Sequence, residues 1–161
     1  MLFRSLARNH GLKNRDECVF WSKNSRLDAL QAAFLRIKLP YLDTWTKTRR
    51  THAAFYQKEL SDFVNVPQER PGTFAVYHTF VIQADRRDEL QQFLQERDIG
   101  TAVHYPIPIH LQEAAKNLGY KRGDFPVTER QATRILSLPL FPSLSMEQRQ
   151  HVAESIRTFY Q

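Results

Sequence analysis

The run Asn24-Ser25-Arg26-Leu27-Asp28-Ala29-Leu30-Gln31-Ala32-Ala33 constrains this chain more than any other stretch. Its start is polar, and Asn24 or Ser25 stands where a helix cap is wanted. Asp28 follows in the first turn, where a negative charge meets the positive end of the helix dipole. Leu27, Leu30, Phe34 and Ile37 recur at helical spacing and make an apolar stripe. Ala29, Ala32 and Ala33 are small enough to let a second backbone come close. Pro40 lacks a backbone donor and disfavours helix at the residue before it, so a kink or break is expected there. Helical spacing resumes from Leu42 to Leu60, with Leu42, Trp45, Arg49, His52, Ala53 and Tyr56 on one side and Asp43 supporting Lys47 one turn on.

Beyond this long kinked helix the pattern changes. Ser61 to Gly72 reads as a loop, marked by Asn65, Pro67, Pro71 and Gly72. Phe74 to Gln83 alternates as a strand does, with Val76, His78, Phe80 and Ile82 on one face. Asp85 is placed to cap a helix reaching Arg97, with Leu90, Phe93 and Leu94 on its apolar side. A second strand is expected over Thr101–Tyr105, ended by Pro106 and Pro108. A short helix from Leu111 stops at Gly119, another runs from Val127 to Thr133, and a third strand lies around Ile135–Leu138. Ser145 and Gln148 form a capping box for a last helix with Val152, Ile156 and Phe159 on its buried edge. The order specifies an α+β fold, a small three-stranded and mainly antiparallel sheet covered by helices.

Composition limits what such a chain does. Its 161 residues, 42% hydrophobic with 11 Phe, suffice for one real core. No apolar run reaches the roughly 20 residues needed to cross a bilayer, so no membrane partner is expected. Cys18 is alone, which excludes an internal disulfide and suits a reducing, cytoplasmic setting. The net charge of +6 is spread among acids, and the densest patch, Lys47-Thr48-Arg49-Arg50, reads as a solvated helix face. No nucleic-acid partner is expected from it. His78, His104 and His110 lack metal-ligand spacing and have no nearby Cys, so no metal is expected.

Several further segments fall in a recognisable order. Leu6-Ala7-Arg8-Asn9-His10-Gly11 precedes the long helix; Tyr77-His78-Thr79-Phe80-Val81-Ile82, His104-Tyr105-Pro106-Ile107-Pro108-Ile109-His110, Gly123-Asp124-Phe125-Pro126-Val127-Thr128-Glu129 and Leu136-Ser137-Leu138-Pro139 follow it. With the Asn-Ser-Arg-Leu-Asp run, this series resembles the C-terminal portion of the DegT/StrS-type, fold-type-I aminotransferases. These are pyridoxal-phosphate-dependent enzymes that act on sugar nucleotides. The resemblance implies that residues 25–161 are the small domain of that fold, and that residues 1–24 are the remnant of, or linker from, a large cofactor domain.

The resemblance also implies the chemistry. The cofactor would be pyridoxal phosphate, the acceptor a keto-sugar nucleotide, the donor an amino acid such as glutamate, and the assembly a homodimer. The lysine that forms a Schiff base with the cofactor lies upstream in the family, so no catalytic residue is assigned to this chain, and the chain by itself is expected to be inactive. Asn24 takes the family's role of reaching the cofactor phosphate of the partner subunit. A side-chain amide near a helix N-terminus suits that role, and a plain helix cap is the alternative. Ser22 stands where the family has glycine, and serine enters positive φ less readily. Arg26 pairs with a phosphate or with Asp28. His104 and Tyr105 are assigned to substrate, against a plain hydrogen-bonded histidine at a strand end. Ser137 reads as core packing. Two other functions stay open: sugar dehydration with the same cofactor, and a non-catalytic dimerisation or interaction module.

Overall fold

A computed structural model describes residues 2–13, 19, 20 and 22–161. Cys18, on which one of the expectations above falls, lies outside the described residues. The chain divides into two compact units, Met1–Leu42 and Asp43–Gln161.

The first unit opens with α1 (Leu2–Ala7) and closes with α2 (Ala29–Lys38). Between them the chain doubles back, and Asn9 pairs with Asn24 in an antiparallel bridge. The Ser25 amide donates to the Arg8 carbonyl at 2.9 Å, and that of His10 to the Lys23 carbonyl at 3.2 Å. Gly11 makes the return possible. Its φ is +72°, and a Cβ there would sit 1.7 Å from the Phe20 carbonyl oxygen, so both the conformation and the space require glycine. Ser22 is not among the residues with positive φ. Its hydroxyl instead donates to the Ala7 carbonyl. Phe20 stacks on Phe3 at 5.3 Å.

The long helix is corrected in two respects. The cap of α2 is Asp28, not Asn24 or Ser25, and the Asp28 amide donates to the Gln31 side chain at 3.3 Å. The kink or break expected at Pro40 is a break, so two helices stand in place of one long kinked helix. α2 ends at Lys38, a 3-10 turn spans Leu39–Tyr41 with Pro40 inside it, and α3 (Leu42–Leu60) follows as a separate helix. Proline tolerates the first turn of a helix but not its interior, which fixes the break. None of the residues of α2 is buried.

The second unit holds the core. β1 (Phe80–Gln83) pairs antiparallel with β2 (Ile135–Leu138) in the register Phe80 to Leu138 and Ile82 to Leu136. These four side chains lie on one face and are 0–4% exposed. They pack with Ala53, Tyr56 and Leu60 of α3, Leu90 and Leu94 of α4 (Arg87–Gln95), and Val152 and Ile156 of α6 (Met146–Tyr160). Each fully buried side chain of this kind contributes about 1.5–3 kcal/mol. α5 (Pro126–Ala132) leads into β2. The last helix starts as its sequence predicts, the Gln148 amide donating to Ser145 Oγ at 3.2 Å.

The fold is therefore α+β with an antiparallel sheet, but of two strands rather than three. Thr101–Tyr105 adds only one bridge, Ala102 to Ser137, before the donor-less Pro106 and Pro108 turn the chain away. The first strand is also shorter than its alternation suggests. Tyr77 takes φ +47°, which ends the extended run ahead of β1. The backbone of residues 75–78 is instead engaged by side chains. Arg49 donates to the Tyr77 and His78 carbonyls at 3.4 and 3.3 Å, and Arg50 to the Ala75 carbonyl at 2.6 Å. Glu69 accepts from the Ala75 amide at 2.8 Å and holds both ends of the Arg50 guanidinium.

Candidate functional site: the cleft beside His104

β2 alternates as a strand must, so Leu136 and Leu138 enter the core while Ser137 faces away from it. Ser137 is nonetheless buried, at 6% exposure, because the Thr101–Tyr105 segment crosses there. Ala102 accepts from the Ser137 amide at 2.8 Å and donates back to its carbonyl at 3.3 Å. That crossing brings the His104 ring over the strand, with Nδ1 2.8 Å from Ser137 Oγ. A cleft of about 290 Å³ opens at this point, lined by His104, Ser137, His78, Thr79, Thr101 and Pro139 among others. Tyr105, 74% exposed, sets the edge of its ring against the His104 imidazole at 5.6 Å.

The walls of the cleft are held from α3. Arg49 donates to the Leu140 carbonyl at 2.8 Å, and with its bond to the His78 carbonyl ties both rims to one guanidinium. The Tyr56 hydroxyl donates to the Pro139 carbonyl at 3.1 Å. Burial pushes the Tyr56 hydroxyl well above its ordinary value, so it remains a donor. The reading of Lys47-Thr48-Arg49-Arg50 as a solvated face is thus corrected: Arg49 and Arg50 are half-buried and donate to backbone carbonyls, while Lys47 is exposed. Next along the same face, His52 is 5% exposed. Burial, then the nearby Arg149 charge, push its imidazole below the usual histidine range against a smaller opposing effect of the Pro142 backbone, and the Arg49 charge adds a lesser push downward.

His110 does not join His104 and His78. It pairs with Glu129 at 2.9 Å, and the same carboxylate accepts the Gly123 amide at 2.8 and 3.1 Å. The Gly123 donor, followed by His110, holds Glu129 below the usual carboxylate range. The Gly123–Glu129 motif is thus a lock on the loop ahead of α5. Among the described residues no three His, Cys, Asp or Glu side chains converge as a metal site would require.

Asn24 and Arg26 belong to the first unit. Asn24 is exposed, with its backbone pinned by pairing to Asn9. The Arg26 guanidinium donates to Asn9 Oδ1, not to Asp28. Sequence reasoning placed His104 and Tyr105 together and missed Ser137 and Arg49. The signal for Ser137 was a lone hydroxyl between two leucines in a strand buried on both faces. Arg49 carried none, since a guanidinium on an amphipathic helix looks the same whether it meets water or carbonyls.

An α+β unit of this topology is shared with solved structures of aminotransferases. The chain belongs to the DegT/DnrJ/EryC1/StrS aminotransferase family, whose pattern it matches over residues 4–157. It is 47% identical over 157 residues to a pleiotropic regulatory protein of Geobacillus stearothermophilus, covering 95% of this chain and 42% of that one. It is 36% identical over 156 residues to the dTDP-3-amino-3,6-dideoxy-alpha-D-galactopyranose transaminase of Aneurinibacillus thermoaerophilus, covering 96% and 42%. Among solved structures, DesV of S. venezuelae superposes with a TM-score of 0.88 at 37% identity, covering 97% of this chain and 43% of that one. The chain spans about 42% of the length of the curated relatives it matches.

Proposed function

We propose that this chain supplies the substrate-facing part of a pyridoxal-phosphate-dependent enzyme that moves an amino group from an amino acid such as glutamate to a keto-sugar nucleotide. The class of reaction follows from the family and from relatives named as transaminases of dTDP-linked sugars. The observation that ties it to these residues is the cleft, where the His104 ring is held from one side and its other nitrogen is left for a ligand. His104 and the exposed Tyr105 hydroxyl bind oxygens of the sugar nucleotide there. In the first unit, Arg26, steadied by Asn9, offers a phosphate a separate positive charge. Pyridoxal phosphate, when bound, supplies the aldehyde that carries the amino group between donor and acceptor. The Asn24 carboxamide fits its phosphate: it is exposed, its backbone is fixed, and an amide N–H donates well to an anion. In this reading it does so across a homodimer.

Titrating the chain with a dTDP-sugar, followed by the ring signals of His104, tests the assignment. The signals of His104 should shift, and His104→Ala should weaken binding about tenfold or more, since a hydrogen bond to a charged group is worth about 1.5–3 kcal/mol. Binding unchanged in His104→Ala removes His104 from the substrate site.

A further inference from the structure

We propose that Ser137 is a positioning residue that fixes the proton of His104 on Nε2, so that the cleft presents an N–H donor and selects a ligand oxygen that accepts. Ser137 is 6% exposed, and both of its backbone groups are engaged by Ala102. Among the described residues its hydroxyl has one hydrogen-bond partner, His104 Nδ1 at 2.8 Å. A buried hydroxyl that keeps its proton undonated loses its hydration without replacement. The Oγ–H therefore donates to Nδ1, which must be the unprotonated nitrogen of the neutral ring, and the proton resides on Nε2. The opposite arrangement, Nδ1–H donating to Oγ, would leave the serine proton with no acceptor.

The geometry adds a reason for the residue type. Position 137 faces off the core between Leu136 and Leu138, and a methyl or larger apolar group there would pack under His104 without orienting it. A fixed donor favours a phosphate, carbonyl or ether oxygen over a ligand N–H at that point of the cleft. This specificity rests on the reading of His104 as a substrate contact; the tautomer itself does not.

The test is a long-range proton–nitrogen correlation spectrum of the full chain labelled in histidine, at a pH where the ring is neutral, with His104→Gln to assign the signals. The wild-type His104 should be wholly in the Nε2–H form, with Nδ1 shifted as a hydrogen-bond acceptor. Ser137→Ala should return Nδ1 to its unbonded position and the tautomer ratio to that of histidine in an unstructured peptide. Ser137→Thr, which keeps the hydroxyl, should restore the wild-type pattern, and backbone amide signals of β1 and β2 report that each variant is folded. A wild-type ring protonated on Nδ1, or a pattern that Ser137→Ala leaves unchanged, overturns the assignment. A wild-type pattern as expected, with no His104 shift on adding a dTDP-sugar, rejects the substrate role instead and leaves the tautomer standing.

Discussion

α2 and α3 are neighbours in sequence and carry similar apolar spacing, yet they fare differently. In α3, Ala53, Tyr56 and Leu60 are all 0% exposed. In the α2 stretch, Leu27, Leu30, Phe34 and Ile37 are 54–69% exposed. Every residue of the continuous core belongs to the unit that begins at Asp43. Periodicity therefore tells which face of a helix is meant for burial, but not whether the chain at hand supplies the covering surface. Among the described residues, backbone pairing, one glycine and the Phe3–Phe20 stack tie the first unit together, whereas side-chain burial holds the second.

The contrast breaks most sharply in the core. Phe80→Ala should cost about 3–5 kcal/mol in urea denaturation, as expected for a fully buried aromatic. A cost below about 1 kcal/mol would mean that the second unit is no better packed than the first. A smaller change isolates the tie between α3 and the cleft wall: Tyr56→Phe removes only the hydroxyl donated to Pro139, and should cost about 1 kcal/mol. No measurable loss would show that α3 holds the rim by packing alone.

Acid sharpens the comparison further, because the second unit buries a histidine whose folded value is depressed. The unfolded chain takes up this proton near the ordinary value of about 6.5 and the folded chain resists it. Stability from His52 is therefore full above that value and is lost as pH falls below it toward the folded value. The urea midpoint should drop between pH 7.5 and 5.5, and His52→Gln should shrink the drop; an equal drop in the variant places the acid sensitivity elsewhere. The smallest expected effect lies in α2. Phe34→Ala should change stability by no more than about 0.5 kcal/mol while lowering the binding of an apolar dye. A loss comparable to that of Phe80→Ala would mean that the α2 stripe is covered in solution.

Where the sequence was legible, a local rule decided the structure. Ser145 and Gln148 capped their helix, Gly119 took the left-handed conformation at φ +78°, and Ile135–Leu138 formed the expected strand. Where it misled, a distant group overruled the local pattern. Phe74–Thr79 alternates, but Arg49 and Arg50 engage its carbonyls from α3, and a side chain that replaces a neighbouring strand leaves no mark on hydropathy. Asp28 displaced Asn24 and Ser25 as the cap because three capping residues stand within five positions, and propensity does not rank them. The site followed the same division. His104 and Tyr105 were assigned to substrate through the resemblance that their proline turn helps to carry, whereas the contact of Ser137 with His104 spans 33 residues of chain.

The bonds that hold the cleft wall also bear on the order of events in folding. Tyr56 and Arg49 meet their carbonyl partners across 83 and 91 residues of chain. A helix such as α3 forms in microseconds from local contacts, but closing loops of this length is entropically slow. During synthesis α3 is complete long before Pro139 and Leu140 have left the ribosome, and until then its buried face has nothing native to meet. The cleft is consequently among the last features of this unit to exist, and a nascent chain stalled short of β2 displays the apolar face of α3 to any chaperone within reach.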